Sequence, residues 1–502
     1  MSMNACLSKP IRRHRSSLLT IILSLGLTGC SLAPGYERPT LPVPQTQKAS
    51  SLVAGHDDVE VSRNHELSVD EEQLLAQLSP DGELRRLVQS ALTLNRDFQV
   101  AALRVKEAQA LYGITAADRT PTLTAGLERD RQRFDKQATD ERYGQDLTVA
   151  SIGVSDFELD FFGRLRSLSD AARHDYLATT YGQQAAQGAL IAEVAKLYLQ
   201  ERLSVAQLTD VRLIDQTNQA LLEMVRAQQR EGAVSVDDVV SRQLDVQRSH
   251  QQLQAATYEH ARAAQALSFI TGYAAPLPAM AVESAKFFES TSDDTPAWLI
   301  DMPSEQLLER FDVRQSEERL KAANANIGAA RAAFFPSIRL STGVGMASEH
   351  LQSLFSGASG AWLFTPQLSL PLFDGGRNRA NLNLTEVRKQ IAVAQYEQSI
   401  QVAFREVADV LAHRRQVLDD INSESAMARL AQEKAQRVSS ELQAGGADGA
   451  ALLVSKIQLA RADMTWRRAR HALLLNRLDL YRVLLGVDAA PAQSLSDNEA
   501  PL

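Results

Sequence analysis

Hydrophobic and polar residues alternate along two neighbouring segments of the chain, 337–346 and 361–372. In the first segment the odd-numbered positions are polar or small: Ser337, Arg339, Ser341, Gly343 and Gly345. The even-numbered positions are Ile338, Leu340, Thr342, Val344 and Met346. A period of two over about ten residues predicts strands whose two faces meet different environments. It fits a transmembrane strand between lipid and water, and equally a half-buried strand of a soluble sheet.

A weaker pair of such segments precedes it, at 122–129 and 147–161. There Asp156, Glu158 and Asp160 alternate with Phe157, Leu159 and Phe161. We therefore expect four strands, with Asp156, Glu158, Arg339 and Gln367 facing water. Two of the carboxylates Asp156, Glu158 and Asp160 could instead form an acid pair for hydrolysis, but their alternate spacing on a strand favours the wall of a lumen.

Helical patterns surround the strands. One short helix and one longer helix are expected within each of the ranges 82–117 and 304–333. Pro121 and Pro336 end these helical runs, because proline cannot continue the hydrogen-bond ladder. Much longer helices, each about 100 Å at 1.5 Å per residue, are expected at 165–231 and 377–444.

Glycines mark the ends of these long helices. Gly232 and the pair Gly445-Gly446 indicate tight reversals. Return helices are expected at 235–270 and 449–485. Apolar residues at coiled-coil spacing within 402–421 fit a bundle or a cylinder of helices.

The order of these elements repeats because the chain contains two similar halves. Asn95-Arg96-Asp97-Phe98 recurs about 215 residues later as Arg310-Phe311-Asp312-Val313. A duplication of this length indicates two copies of one structural unit that pack side by side. We assign the first repeat to 81–274, a linker to 275–303, the second repeat to 304–488 and a flexible tail to 489–502.

The N-terminal segment carries the pattern of a lipoprotein signal peptide, residues 1–29. Four basic residues precede an apolar run from Leu18 to Leu27, and Leu27-Thr28-Gly29-Cys30 forms a lipobox. We expect cleavage before Cys30, which would carry an N-acyl and an S-diacylglycerol group. Ser31 after the cysteine is typical of lipoproteins exported to the outer membrane. Residues 30–80 are expected to be an extended tether.

Charge and strand number limit the remaining possibilities. Loss of the signal peptide changes the formal net charge from −8 to −12, which argues against a nucleic-acid partner. Four strands cannot close a membrane barrel, since the small ones have eight. An open sheet edge in lipid would leave backbone groups unpaired, so several chains must share one barrel. The lipobox and the small number of strands therefore favour membrane strands over a soluble sheet.

Catalytic and metal-binding patterns do not stand out in the sequence. The nine histidines are scattered, and neither His413 nor His471 has a second histidine four residues later. We expect no enzyme activity, no metal site and no cofactor other than the covalent lipid.

Four runs carry a specific resemblance to a known family. They are 157–167 (FELDFFGRLRS), 327–336 (IGAARAAFFP), 368–377 (LSLPLFDGGR) and 404–409 (FREVAD). They resemble TolC-type outer-membrane factors, and specifically the drug-efflux outer-membrane lipoproteins. The resemblance implies an α+β membrane protein: a homotrimer with a twelve-stranded β-barrel, four strands per chain, continued by a periplasmic α-helical barrel. It also implies export of small amphiphilic compounds with a periplasmic adaptor and an inner-membrane pump of the resistance-nodulation-division type.

The same resemblance implies that the helix reversals form the periplasmic tip, where adaptors dock and the channel gates. The implied tip residues are Gly232, Val234, Ser235, Asp237, Asp238, Gly445, Gly446, Asp448, Leu452 and Ser455. Asp238 keeps the acidic residue that the family carries six positions after the glycine. Counted from Gly446, the acidic positions of the second tip hold Leu452 and Ser455, so a strongly cation-selective constriction is not expected there.

Two other functions remain open at this point. One is the outer-membrane duct of a type I protein-secretion system. The lipobox favours efflux over this function. The other is a non-channel structural lipoprotein such as a periplasmic adaptor, which would carry one helical hairpin between small β-domains.

Overall fold

The computed structural model describes residues 67–131, 146–272, 287–288, 304–357, 359–484 and 486. Three helices come first: α1 (Val69–Leu78), α2 (Glu83–Leu94) and α3 (Arg96–Ala117). The rest of the first half is β1 (Leu123–Arg131), β2 (Asp146–Leu159), α4 (Arg164–Arg230) and α5 (Val236–Thr271). The second half has a 3-10 turn (Ser304–Glu309), α6 (Phe311–Ala332), β3 (Ser337–Ser348), β4 (Gly360–Ser369), α7 (Arg377–Gln443) and α8 (Gly449–Val483).

The expected fold class of mixed helices and four strands per chain is confirmed. The strands form one antiparallel sheet in the order β1-β2-β3-β4, so β1 and β4 are its two edges. The predicted strands at 147–161 and 361–372 extend too far, because β2 ends at Leu159 and β4 at Ser369. Pro366 lies within β4, an edge strand where proline is tolerated, and Pro371 lies two residues beyond its end.

The helices pack against one another through the following contacts. α4 packs against α3, α5, α6 and α8, and α7 packs against α6 and α8. Each pair of shorter helices stacks end to end beside a long one. Asn95 Nδ2 donates to Ile270 O at 3.2 Å where α3 meets α5, and Arg310 Nη1 donates to Val483 O at 2.8 Å where α6 meets α8.

α1 corrects one expectation from the sequence. Residues 69–78 are helical and not an extended tether, because Ser68 and Glu71 form a reciprocal capping box at the start of α1. Leu75 and Leu78 are buried in the main apolar core. That core joins α1 and α2 to the middle of α4 and to the C-terminal part of α8 through Tyr198, Leu199 and Leu474.

Several sequence expectations lie outside the described residues. These are the signal peptide at 1–29, Cys30, the tether up to residue 66, nearly all of the linker at 275–303 and the tail at 489–502. Within the part of the chain that the structure covers, none of the helices is both long and apolar enough to cross a membrane.

Candidate functional site

Three of the predicted water-facing residues form one row across the sheet. Glu158 on β2 lies opposite Arg339 on β3, and Arg339 lies opposite Gln367 on β4. Side chains at directly opposed positions share one face of an antiparallel sheet. The structure therefore brings Glu158, Arg339 and Gln367 together on one face, as predicted; which compartment this face meets stays a prediction.

Asp156 joins this row through a β-bulge that the sequence pattern did not predict. The register shifts between Val154 and Phe157, so that Ser155 and Asp156 both oppose Ser341. Asp156 has a φ of 55°, the left-handed region that aspartate tolerates better than most residues. Its N–H donates to Ser341 Oγ at 3.0 Å, and its carboxylate accepts from Arg339 Nη1 at 3.1 Å.

An ion pair connects the polar row to the helical layer. Arg164, the first residue of α4, donates from Nε and Nη2 to the two carboxylate oxygens of Glu158 at 2.7 and 2.8 Å. Asp160, expected on the strand, lies beyond its end and accepts from Arg166 N at 2.7 Å. The carboxylates after the bulge thus orient the first turn of α4, which the alternation alone could not show.

The opposite face of the sheet is apolar and exposed in the single chain. Its register pairs include Ile152 with Val344 and Val344 with Trp362. Trp362 is 80% exposed and Val344 is 67% exposed. A contiguous exposed apolar face is rare on a soluble monomer. Such faces mark contacts with a partner or a membrane.

The first helix reversal is built by two caps. Gly232, with a φ of 74°, donates to Gln229 O at 3.0 Å, and Ala233 donates to Gln228 O at 2.9 Å, which is a Schellman motif. Ser235 then caps α5: its Oγ accepts from Asp238 N at 3.1 Å, and Asp238 Oδ2 accepts from Ser235 N at 3.0 Å. The Ser235 hydroxyl and amide hold the pKa of the Asp238 carboxyl below its ordinary value. Asp238 is thus engaged in a capping box.

The second reversal repeats this geometry with one difference. Gly445, with a φ of 78°, donates to Leu442 O at 3.2 Å, and Gly446 donates to Glu441 O at 2.8 Å. Asp448 caps α8 by accepting from Ala451 N at 2.7 Å. The glycine equivalent to Gly232 is therefore Gly445, so the count from Gly446 that assigned Leu452 and Ser455 was wrong by one residue. The position equivalent to Asp238 is Ala451, which cannot complete a capping box.

The other predicted tip residues differ in their exposure. Asp237 and Gly446 are exposed, and Val234 is half-buried. Leu452 is half-buried, whereas Ser455 is buried and its Oγ donates to Leu452 O at 2.7 Å. Ser455 is therefore a packing residue in this conformation and offers no docking surface.

Buried polar contacts between the long helices were not predicted. Arg467 on α8 donates to Asp210 on α4, and Ser249 Oγ on α5 donates to Asp215 Oδ1 on α4 at 2.7 Å. A charged residue on a long helix gives no sequence signal of its partner on another helix. Across the described ranges, no group of three or more His, Cys, Asp or Glu side chains is placed to hold a metal ion.

Comparison with known proteins identifies the family. The model of the outer membrane efflux protein family matches residues 87–273 and 302–486. The chain belongs to the outer membrane efflux protein family. It is an outer-membrane component of efflux transport, and the recognised resemblance is confirmed.

Individual relatives agree with this assignment. The chain is 36% identical over 474 residues to the cation efflux system protein CusC of Escherichia coli O6:H1, covering 93% of this chain and 98% of CusC. It is 39% identical over 406 residues to the toluene efflux pump outer membrane protein TtgF of Pseudomonas putida, covering 80% and 82%. The fold matches the open state of the MtrE outer membrane channel of Neisseria gonorrhoeae with a TM-score of 0.67 and 29% identity, over 91% of this chain and 98% of MtrE.

Proposed function

We propose that three copies of this chain form the passive exit duct of a tripartite efflux system. The observation that carries the proposal is a sheet with one exposed apolar face, one polar face and two edges, β1 and β4, in a chain of this family. An open edge is prohibitive in lipid, so the sheet closes with sheets of other copies. Three copies supply twelve strands, whereas the eight strands of two copies would be filled by side chains.

The helical layer continues the duct below the membrane. α4 and α7 each contain 67 residues, which at 1.5 Å per residue is about 100 Å. Such helices reach far into the periplasm from strands that lie in the outer membrane. The polar row of Asp156, Glu158, Arg339 and Gln367 then lines the lumen, and the apolar face of the sheet meets lipid.

The two helix reversals lie at the far ends of these helices, where we place the gate and the contact with a periplasmic adaptor. The chain itself is proposed to have no enzyme activity. The energy for export therefore comes from an inner-membrane pump of the resistance-nodulation-division type. A lipid on Cys30 anchors the mature chain to the outer membrane. Replacement of Cys30 by serine should abolish labelling with palmitate, and continued labelling would refute this processing site.

Substrates are proposed to be small amphiphilic compounds or ions selected by the pump. CusC is named for cation efflux and TtgF for toluene efflux, so relatives with similar channels serve different cargo. This range of cargo among relatives fits a duct that recognises little by itself and leaves selection to the pump.

Deletion of the gene tests the function. We expect increased sensitivity to at least one drug, dye, solvent or metal ion, restored by the wild-type gene. Loss of a secreted protein with unchanged sensitivities would favour a type I secretion duct. A monomer confined to the periplasm would favour the structural lipoprotein.

A further inference from the structure

A basic groove lies where α4, α6 and α7 pack together, near the ends of these helices that adjoin the sheet. Its cations are Arg166 and Arg173 on α4, Lys321 on α6 and Lys389 on α7. Among the described residues that line it, one carboxylate, Asp170, accompanies these four cations. The groove has a volume of about 820 Å³, which is the size of a small-molecule site. A groove with this balance of charge attracts an anion.

Two of the four cations are already paired within the chain. Lys321 Nζ lies 2.8 Å from Glu318 Oε1 on the same helix. Arg166 Nε lies 3.9 Å from Asp170 Oδ2, at the outer limit of an ion pair. Arg166 is therefore held loosely and can turn towards another anion.

The other two cations carry unbalanced charge. Within the part of the chain that the structure describes, neither Arg173 nor Lys389 has a hydrogen-bond or ion-pair partner. Arg173 is exposed and Lys389 is half-buried. Two like charges in one groove repel each other unless an anion lies between them. The arrangement therefore indicates a ligand that carries negative charge.

The basic groove lies on the side of the helices opposite the polar row of the sheet. Arg164, which pairs with Glu158 of that row, lines a second groove between the same three helices. Arg166 follows Arg164 by two residues, which is about 200° around the helix. On α6, Lys321 and Ala323 are offset in the same way, since the first lines the basic groove and the second lines the other. In the proposed duct the basic groove therefore faces away from the lumen.

Exposed phenylalanines mark the membrane surface nearest to the groove. Phe162 follows β2 and Phe335 precedes β3, and their rings stack with centroids 4.8 Å apart. Phe373 follows β4 and is 92% exposed. Aromatic residues of membrane strands concentrate at the level of the lipid headgroups. The junction of sheet and helices in the duct therefore lies at the headgroups of the periplasmic leaflet, and the groove begins directly below it.

The cations are placed to meet a headgroup that enters the groove. The headgroup region on each side of a bilayer is about 5–7 Å deep. Arg166 lies within it, about 3 Å along α4 from the first residue of the helix. Arg173 and Lys389 lie about 14 and 18 Å from the first residues of their helices. Their side chains tilt towards the helix N-terminus, which for α4 and α7 is the end next to the sheet.

We infer that this groove binds the phosphate of an anionic phospholipid from the periplasmic leaflet of the outer membrane. The guanidinium groups of Arg166 and Arg173 bind the phosphate oxygens, for which their fork of N–H donors is suited. Lys389 binds the part of the headgroup that extends beyond the phosphate. The inference rests on the proposed duct for the orientation of the groove, and it adds a lipid site outside the membrane strands.

Native mass spectrometry of the detergent-purified full chain tests the site, with phosphatidylglycerol as the probe and zwitterionic phosphatidylcholine as the reference. We expect trimers to retain up to three phosphatidylglycerol molecules in preference to phosphatidylcholine. Lys389→Gln should weaken this binding about fivefold, because each basic residue beside an anionic lipid contributes about that factor. Arg173→Gln with Lys389→Gln should weaken it about 25-fold.

The neighbouring residue on α7 provides the matched control. Arg388 precedes Lys389 and lines the second groove on the other side of the helices. Arg388→Gln makes the same change of net charge and should leave the binding of phosphatidylglycerol unchanged. Equal weakening by Arg388→Gln and Lys389→Gln would overturn the basic groove as the site, since net charge alone would then explain the effect.

The remaining outcomes separate the ligand, the site and the assembly. Displacement of phosphatidylglycerol by equimolar inorganic phosphate would make free phosphate the ligand and overturn the lipid assignment. Trimers that do not prefer phosphatidylglycerol, or that retain it equally in the wild-type protein and the double variant, would overturn the site and leave the proposed duct intact. Monomers in every preparation would refute the assembly, and with it the outward orientation of the groove.

Discussion

Arg467 of α8 donates through Nη1 to Asp210 Oδ2 of α4, and this pair joins the two long helical hairpins of the chain. The side chains are 9% and 13% exposed. Burial raises the pKa of the Asp210 carboxyl, while the Arg467 guanidinium acts in the opposite direction. The first hairpin, α4–α5, is thereby fixed to α8 well above the reversals.

Removal of one partner should destabilise the chain strongly. Asp210→Asn removes the carboxylate that accepts from the buried Arg467 guanidinium, and loss of one partner costs about 3–5 kcal/mol in comparable buried pairs. The double variant Asp210→Leu with Arg467→Met should recover most of this loss, because it removes both charges. Denaturant unfolding of the purified protein measures both effects.

An exposed pair on the same helix is the matched control. Glu223 and Arg226 of α4 are 2.8 Å apart and exposed, so Glu223→Gln should change the unfolding free energy by less than about 1 kcal/mol. Equal losses in the single and double variants of the buried pair would contradict the role assigned to it.

The caps at the reversals should control local opening at the tip. Ser235→Ala removes the acceptor for Asp238 N, and Asp448→Ala removes the acceptor for Ala451 N. Loss of an N-cap costs about 1 kcal/mol. Hydrogen exchange should become faster at the Asp238 amide in the first variant and at the Ala451 amide in the second.

Ser235→Asp keeps a capping oxygen and serves as the control for the first variant. The first reversal should be the more resistant of the two in the wild-type protein, since only it has the reciprocal bond from Ser235 N to Asp238. Equal exchange at both reversals would contradict this difference.

Much of the fold follows from the hydrophobic periodicity of the sequence and from the glycine and capping residues that end or begin its helices. The alternation at 337–346 identifies β3, and the glycines near 232 and 445 identify the reversals, because only glycine adopts the required positive φ without strain. The capping signal Ser68-Val69-Asp70-Glu71 was also present and would have predicted α1. The residues around this signal have the composition of a linker, which favours an extended segment.

Other features depend on partners that one sequence does not reveal. The bulge at Asp156 depends on the pairing of β2 with β3, and the Asp210–Arg467 contact depends on the packing of α4 on α8. Either Gly445 or Gly446 could adopt the left-handed conformation at the second reversal, so the sequence leaves both possibilities open. The backbone hydrogen bonds resolve it in favour of Gly445.

The polar row on the sheet should influence ion selectivity if it lines the lumen. Arg339 pairs with Asp156 and lies opposite Glu158, so Arg339→Gln leaves two carboxylates without this cation. The permeability ratio of K⁺ over Cl⁻ should rise in planar-bilayer recordings. Thr342→Ser lies on the opposite face and should leave the ratio unchanged; a response equal to that of Arg339→Gln would contradict the assignment of faces.

The docking of α1 should contribute to stability. Leu78 is fully buried in the core shared with α4 and α8, and Leu78→Ala should cost about 2–5 kcal/mol. Glu72 lies on the exposed side of the same helix and pairs with Arg85, so Glu72→Ala should cost less than about 1 kcal/mol. Thermal unfolding compares the two variants, and similar losses would show that α1 is not part of the cooperative core.

His471 should make the folded chain less stable in acid. It is buried on α8 at 6.5 Å from the Phe288 ring, and burial lowers its pKa from 6.5 to about 4. The unfolded chain therefore binds more protons than the folded chain between these values, so this contribution is present above pH 6.5 and is lost as the pH falls towards 4. The full loss is on the order of 3 kcal/mol. His471→Gln should flatten the dependence of the melting temperature on pH between 7 and 4.5, while exposed His350→Gln should not; an unchanged slope in His471→Gln would exclude this histidine as the source.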